Sequence, residues 1–338
     1  MKDLILRFPH VAEQIFQQLD NEDLAKSREV EKLWQKFIDE RNYPWLRIIK
    51  IPTILQDGYT YMHLAAQYGQ TDMFEIILNQ EDNKNPKSKY GFETPFLIAC
   101  RKGQVNIALI ILEKSDELKI ELNTQDNYGS TAFHTACWNG NSEIAEMIMK
   151  YSPQLKIDLN SKDEDDLTAF QGACWNGQSE IVEIILKNSS KLNIDLNSSR
   201  GNTAFHFACE KGNPKIAELI MKYSSELKID LNSKGFLGKT AFHLAYKRSD
   251  IAEVMMKKSV DLKIDLNCKD KCGNTSFHDA CEFGCFKVVD MMIEHSESLE
   301  LDLKAKNSDG KTGYQLAKAR GATYTVNLIQ TKMPSLAV

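Results

Sequence analysis

The sequence predicts an all-α chain, a solenoid of about eight helix-pair repeats preceded by a short helical segment of a different kind. Three observations carry this. A ten-residue pattern opening on threonine recurs eight times through the 338 residues. Each copy is followed by a second stretch with apolar residues at helical spacing. The first fifty residues lack the pattern. Periods of this size mark repeat arrays, whose units bury their apolar faces only by stacking on one another. The expected domains are residues 1–50, a repeat array over 51–330 and a tail over 331–338.

The N-terminal stretch FPHVAEQIFQQLDNEDLAKSREVEKLWQKFID reads as two or three short helices. Val11, Ile15, Phe16 and Leu19 lie at helical spacing. Asn21 is placed to cap a helix carrying Leu24, and Val30, Leu33, Trp34, Phe37 and Ile38 continue an apolar stripe. One reading of this segment is a cap over the open apolar end of the stack.

The repeats then follow, aligned on Thr60, Thr94, Thr131, Thr168, Thr203, Thr240, Thr275 and Thr312, at spacings of 34, 37, 37, 35, 37, 35 and 37 residues. The third unit, TAFHTACWNGNSEIAEMIMKYS, shows the logic. Thr131 is placed to cap a first helix, on which Phe133, Ala136 and Cys137 share a face. Gly140 ends that helix. Asn141 or Ser142 is expected to cap the second helix, with Glu143 near its positive end and Ile144, Met147 and Ile148 as its buried stripe. Glu146–Lys150, Glu183–Lys187, Glu218–Lys222 and Glu253–Lys257 are candidate exposed i, i+4 pairs. In the fifth unit Asn213-Pro214 supplies a cap and a first-turn proline. The sixth unit lacks its glycine at YKRSDIAEV, which predicts a local irregularity. Gly313 and Lys318 stand at normally packed positions of the eighth, as in a terminal unit.

This register decides what the reactive side chains are for. CWNG occurs at Cys137–Gly140 and Cys174–Gly177. Those cysteines are equivalent to Cys100, Cys209 and Cys281, and to Ala66, so they read as small core residues rather than nucleophiles, which are unique and paired with a base. His63, His134, His206, His243 and His278 share one slot, where Gln171 and Gln315 substitute. Glutamine replaces a hydrogen-bonding histidine but is a poor metal ligand. Cys268, Cys272, Cys281 and Cys285 have a zinc-like density, but Cys281 is a core position and should point away from the others. GKT at Gly238–Thr240 and Gly310–Thr312 is not a phosphate loop, because no glycine stands five residues before Gly238 or Gly310. DEDD at Asp163–Asp166 is expected to be an acidic hairpin tip.

Composition excludes more than it assigns. A net charge of −5 gives no support for nucleic-acid binding. No apolar run approaches the roughly 18 residues of a membrane helix. The apolar burst before Arg7 is too short for a signal-peptide core. Eight cysteines without a secretory signal lead to an expectation of free thiols and a cytoplasmic or nuclear location.

The repeats resemble ankyrin repeats over about residues 55–330. They keep the Gly, Thr, aromatic or apolar residue, His, Ala and Gly of that family's motif. Ala usually replaces its Pro, which Thr94-Pro95 retains, and LKIDLN replaces the family's shorter ending. Residues 6–47 resemble an F-box in Phe8-Pro9, Ile15-Phe16, Leu19-Asp20, Asp23-Leu24, Val30-Glu31-Lys32-Leu33-Trp34 and Pro44-Trp45-Leu46. Phe8 stands for that family's Leu and Glu31 for its Cys.

The F-box resemblance implies that Phe8, Pro9, Val11, Ile15, Phe16, Leu19, Leu24, Val30, Leu33 and Trp34 dock on the SKP-type adaptor of a cullin–RING ubiquitin ligase. The ankyrin resemblance implies a concave face that holds a protein substrate, formed by hairpin tips and the residues before each repeat glycine. Its candidates are Tyr68, Arg101, Lys102, Tyr128, Trp138, Asn139, Trp175, Asn176, Glu210, Lys211, Glu282 and Phe283, with Trp138 and Trp175 expected side by side. The alternative is an ankyrin scaffold or inhibitor whose N-terminal helices only cap the stack. Under either reading the chain is expected to be no enzyme, to use no cofactor or metal, to bind no nucleic acid or membrane, and to be monomeric outside its complex.

Overall fold

A computed structural model describes residues 58–197 and 201–337. The expectations for residues 1–50 therefore lie outside the described residues. The chain divides into two compact units, one ending at Asp158 and the other beginning at Leu159.

In both units the threonine pattern forms a helix N-terminus. In the first unit the first helices are Tyr61–Tyr68, Pro95–Lys102 and Ala132–Asn139, capped by Thr60, Thr94 and Thr131. They stack on one another, as do the second helices Thr71–Gln80, Val105–Leu118 and Ser142–Leu155. In the second unit the first helices are Ala169–Trp175, Ala204–Lys211, Ala241–Leu244, Ser276–Glu282 and Gly313–Arg320. The second helices are Ser179–Leu192, Pro214–Leu227, Ser249–Leu262, Phe286–Glu294 and Thr323–Lys332, again in two stacked layers. No strand occurs among the described residues. The core of each unit lies between its layers, where Phe133, Phe170, Phe205, Phe242 and Phe277 are buried with the repeat alanines and cysteines.

The residue after each repeat glycine differs from expectation. Asn141 and Asn213 sit at the N-caps of their helices but their side chains do not cap them. Each reaches back one repeat instead. Asn141 Nδ2 donates to the Cys100 carbonyl at 2.6 Å, and Asn213 Nδ2 to the Cys174 carbonyl at 3.3 Å. These carbonyls end a helix and lack an intrahelical partner. The glycine makes the reach possible, since a Cβ on Gly103 would lie 2.8 Å from Asn141 Oδ1, and its φ of +70° suits glycine. The second-helix stripe also shifts: Ile144, Ala145, Ile148 and Met149 are buried, whereas Met147 is half-buried. Glu183–Lys187 and Glu253–Lys257 form ion pairs. Lys150 and Lys222 lie instead over the rings of Tyr151 and Tyr223.

The LKIDLN segment has a structural task. The 14-residue second helices end on Lys119, Lys156, Asn193, Lys228 and Lys263 in the left-handed conformation. The motif asparagine then bridges to the next repeat. Asn123 Nδ2 donates to the Lys156 carbonyl at 3.0 Å while its Oδ1 accepts the Asp158 amide at 2.9 Å. In the second unit Asn160, Asn197, Asn232 and Asn267 repeat both bonds. The longer repeat thus carries an amide ladder along each unit.

The sixth repeat is irregular where the glycine is missing. Its first helix ends at Leu244 and continues as a 3-10 turn over Ala245–Lys247. At the last repeat, Gly313 is buried, and a Cβ there would come 2.9 Å from the Phe277 ring. Lys318 and Gln315 are exposed. The closing turn Pro334–Leu336 buries Leu336.

Candidate functional site

The histidine slot is structural in its geometry. The Thr203 backbone N–H donates to His206 Nδ1 at 3.1 Å, so Nδ1 must be unprotonated and Nε2–H meets the Lys239 carbonyl of the next repeat at 2.9 Å. His63, His243 and His278 make the same pair of contacts. Gln171 reproduces them, accepting from Thr168 N–H at 2.9 Å and donating to the Asn202 carbonyl at 3.0 Å. Burial holds the four histidines below the ordinary imidazole value, because charging them there is unfavourable. Burial likewise pushes the thiols of Cys100, Cys137, Cys209 and Cys281 up, which suppresses the thiolate that nucleophilic chemistry needs. Cys281 is buried while Cys272 is exposed, and Cys268 donates instead to Asp265 Oδ2 at 3.2 Å.

The variable residues at the ends of the first helices line the candidate surface. In the first unit Tyr68 and Arg101 are half-buried, and Lys102 and Asn139 are exposed. Arg101 pairs with Glu93, which also accepts the Tyr59 hydroxyl at 2.8 Å. Asn139 Nδ2 turns back to the Thr135 carbonyl of its own helix at 2.8 Å. Tyr128 is 67% exposed at a hairpin tip and Trp138 is 45% exposed.

In the second unit Trp175 is half-buried, and its ring is engaged on two sides. Lys211 Nζ lies 3.4 Å from its centroid, and Phe207 meets it edge-on at 5.0 Å. Asn176, Glu210 and Lys211 are exposed. Phe283, 51% exposed, stacks on Tyr246 at 4.9 Å, with Lys247 over both rings. Glu282 holds Arg320 at 2.7 Å. Trp138 and Trp175 belong to different units, and each joins the surface of its own.

Sequence reasoning missed Phe207, Tyr246 and Lys247. Phe207 stands where Thr135 and Gly172 stand in other repeats, so its signal was a large ring in a variable slot. Tyr246 reaches the surface because the sixth repeat's helix breaks at Leu244. It also missed Asp279, which is buried and takes Lys239 Nζ at 2.7 Å. Burial raises the Asp279 carboxyl and the lysine opposes that rise.

The model of ankyrin repeats in three copies matches residues 42–122, 62–163, 153–234 and 226–307. The chain belongs to the ankyrin-repeat family. The ankyrin repeat domain of Bcl-3 superposes with a TM-score of 0.58 at 17% identity, covering 70% of this chain and 98% of that one. The ankyrin repeat domain of human ASB11 gives 0.57 at 16% identity, covering 71% and 98%. At such identities the likeness concerns the fold.

An ankyrin repeat-containing protein of Arabidopsis thaliana is 32% identical over 71 residues, 20% of this chain and 13% of that protein. Alpha-latrotoxin-Lhe1a of Latrodectus hesperus is 30% identical over 77 residues, 23% and 5% respectively. The matched stretches thus span a small part of either relative. Ankyrin repeats are a scaffold for protein–protein interaction, and the described histidines and core cysteines are committed to building that scaffold.

Proposed function

We propose that this ankyrin protein is the substrate receptor of a cullin–RING ubiquitin ligase. The F-box-like segment, residues 6–47, docks on the SKP-type adaptor, and the first-helix ends and hairpin tips hold a protein substrate. The order of F-box-like anchors immediately upstream of an ankyrin array is the observation that carries this reading. The chain then performs no chemistry. It raises the local concentration of acceptor lysines near a recruited conjugating enzyme. Free thiols fit a cytosolic or nuclear setting.

Co-purification with the adaptor tests the docking half. Pro9→Ala with Phe16→Ala should abolish adaptor capture while the array keeps its cooperative melting. Unchanged capture by that double variant would sink the ligase reading and favour the plain scaffold or inhibitor.

A further inference from the structure

The hairpins of the last three repeats carry a row of lysines that the residues named for the candidate surface do not include. Lys234 Nζ donates to the Lys269 carbonyl at 2.9 Å, and Lys269 Nζ to the Lys306 carbonyl at 3.0 Å. The three occupy one register, six residues before Thr240, Thr275 and Thr312. Lys271 and Lys311 are exposed on the same hairpins. Among the described residues, none of these five ammonium groups has a carboxylate within 4.0 Å.

Two of the acidic groups nearby are occupied. Asp270 accepts the Cys272 and Asn274 amides and faces Lys239, while Asp265 accepts the Asn267 amide and the Cys268 thiol. Asp309 stands exposed at the third tip. Holding like charges in a row is unfavourable, and fixing Lys234 and Lys269 on the next lysine's carbonyl adds lost rotamer freedom. An anionic partner offsets both.

The hairpins are also tied to one another and partly apolar. The Lys271 amide donates to the Leu237 carbonyl and the Ser308 amide to the Cys272 carbonyl, each at 2.9 Å. Phe236 is 70% exposed and Leu237 49% exposed, with Leu237 in the left-handed region at φ 57°. Strain spent on presenting two apolar side chains to water marks a contact surface.

We infer that this lysine row binds an acidic, extended segment of a partner protein, with Phe236 and Leu237 packing on its apolar residues. Neighbouring helices pack about 8–10 Å apart. Residues i and i+3 of a polyproline-II segment lie on one side, about 9 Å apart, so carboxylates at every third position match the row. Nucleic acid is disfavoured because the basic row is one side chain wide on a chain of net charge −5. The inference rests on the reading of the array as a protein-binding scaffold, but it does not need the ligase.

The test uses the full chain and a fluorescein-labelled peptide of four Glu-Pro-Pro units, followed by anisotropy at low and at physiological salt. The control peptide has the same composition with its four glutamates contiguous. The spaced peptide should bind about tenfold tighter than the clustered one. Lys234→Glu, Lys269→Glu and Lys306→Glu together should weaken it by about tenfold or more, as several exposed ion pairs are lost together. Lys215→Glu, Lys222→Glu and Lys258→Glu, on the second helices, remove the same charge and should change binding by less than about twofold.

Equal losses in the two triple variants, or equal binding of the two peptides, would show attraction by charge alone and overturn the inference. Tighter binding of a single-stranded oligonucleotide or of phosphatidylserine vesicles through the same lysines would overturn it in favour of that partner. The Pro9→Ala, Phe16→Ala variant should bind the peptide normally, which separates failure of this site from failure of the ligase reading.

Discussion

Asn232 and Lys263 are joined across one repeat. The Asn232 amide donates to the Lys263 carbonyl at 2.8 Å and accepts the Asp265 N–H at 2.8 Å, so one side chain satisfies both polar groups flanking a helix terminus. Lys263 is left-handed there, with φ 53°. The bond therefore fixes the turn that ends one helix pair to the loop that begins the previous connection.

Asn232→Ala should lower unfolding stability by about 1–2 kcal/mol, since it removes two hydrogen bonds. Asn232→Asp should fare no better, because a carboxylate faces the Lys263 carbonyl with no donor. Urea unfolding midpoints measure both. A midpoint for Asn232→Ala equal to that of the parent chain would show that water replaces the ladder at no loss.

Trp175 and Trp138 should part company on truncation. Trp175→Ala removes a ring held between Lys211 and Phe207 and should destabilise by about 1–3 kcal/mol. Trp138→Ala, at a more exposed site, should stay below about 1 kcal/mol. Thermal melts of the two single variants decide it. A larger loss for Trp138 would make that residue the structural one and remove it from the candidate surface.

The buried histidines should make stability depend on pH. Their folded values lie below the ordinary 6.5, so the unfolded chain binds more protons. Their contribution is fully present above about pH 6.5 and is lost as pH falls through that value toward the folded ones. His206→Gln with His243→Gln copies the arrangement that Gln171 already makes in the fourth repeat. That double variant should keep most of the stability at pH 7.5 and flatten the decline between about pH 7 and pH 5. Guanidinium titrations across that range supply the readout. An unchanged pH slope in the double variant would show that other groups govern the acid response.

Thiol labelling should follow burial and local charge. Cys272, exposed at a tip, should react first with a maleimide. Cys268 should follow, because burial and then the Asp265 carboxylate push its thiol up to about 11. Cys100, Cys137, Cys174, Cys209 and Cys281 should label only on unfolding. Mass spectrometry of a time course reads the order. Stoichiometric zinc in chelator-washed protein, with Cys268 and Cys272 protected, would overturn it.

The sequence by itself determined the helix pairs, their register and the roles of the repeated side chains. Thr131, His134, Cys137 and Gly140 were legible because a repeat presents the same local problem several times, and capping, inward packing and left-handed termination depend on residues a few positions apart. The missing glycine of the sixth unit likewise announced the break at Leu244.

Only the tertiary structure decided the contacts that run between repeats. Asn141 spends its amide on Cys100 rather than on its own helix, Asn232 bridges to Lys263, and Trp175 lies under Lys211. Each partner stands roughly one repeat away in sequence. Local periodicity leaves such a side chain with two equally plausible targets, and the choice rests on which carbonyl or ring the stacking brings within a few ångströms.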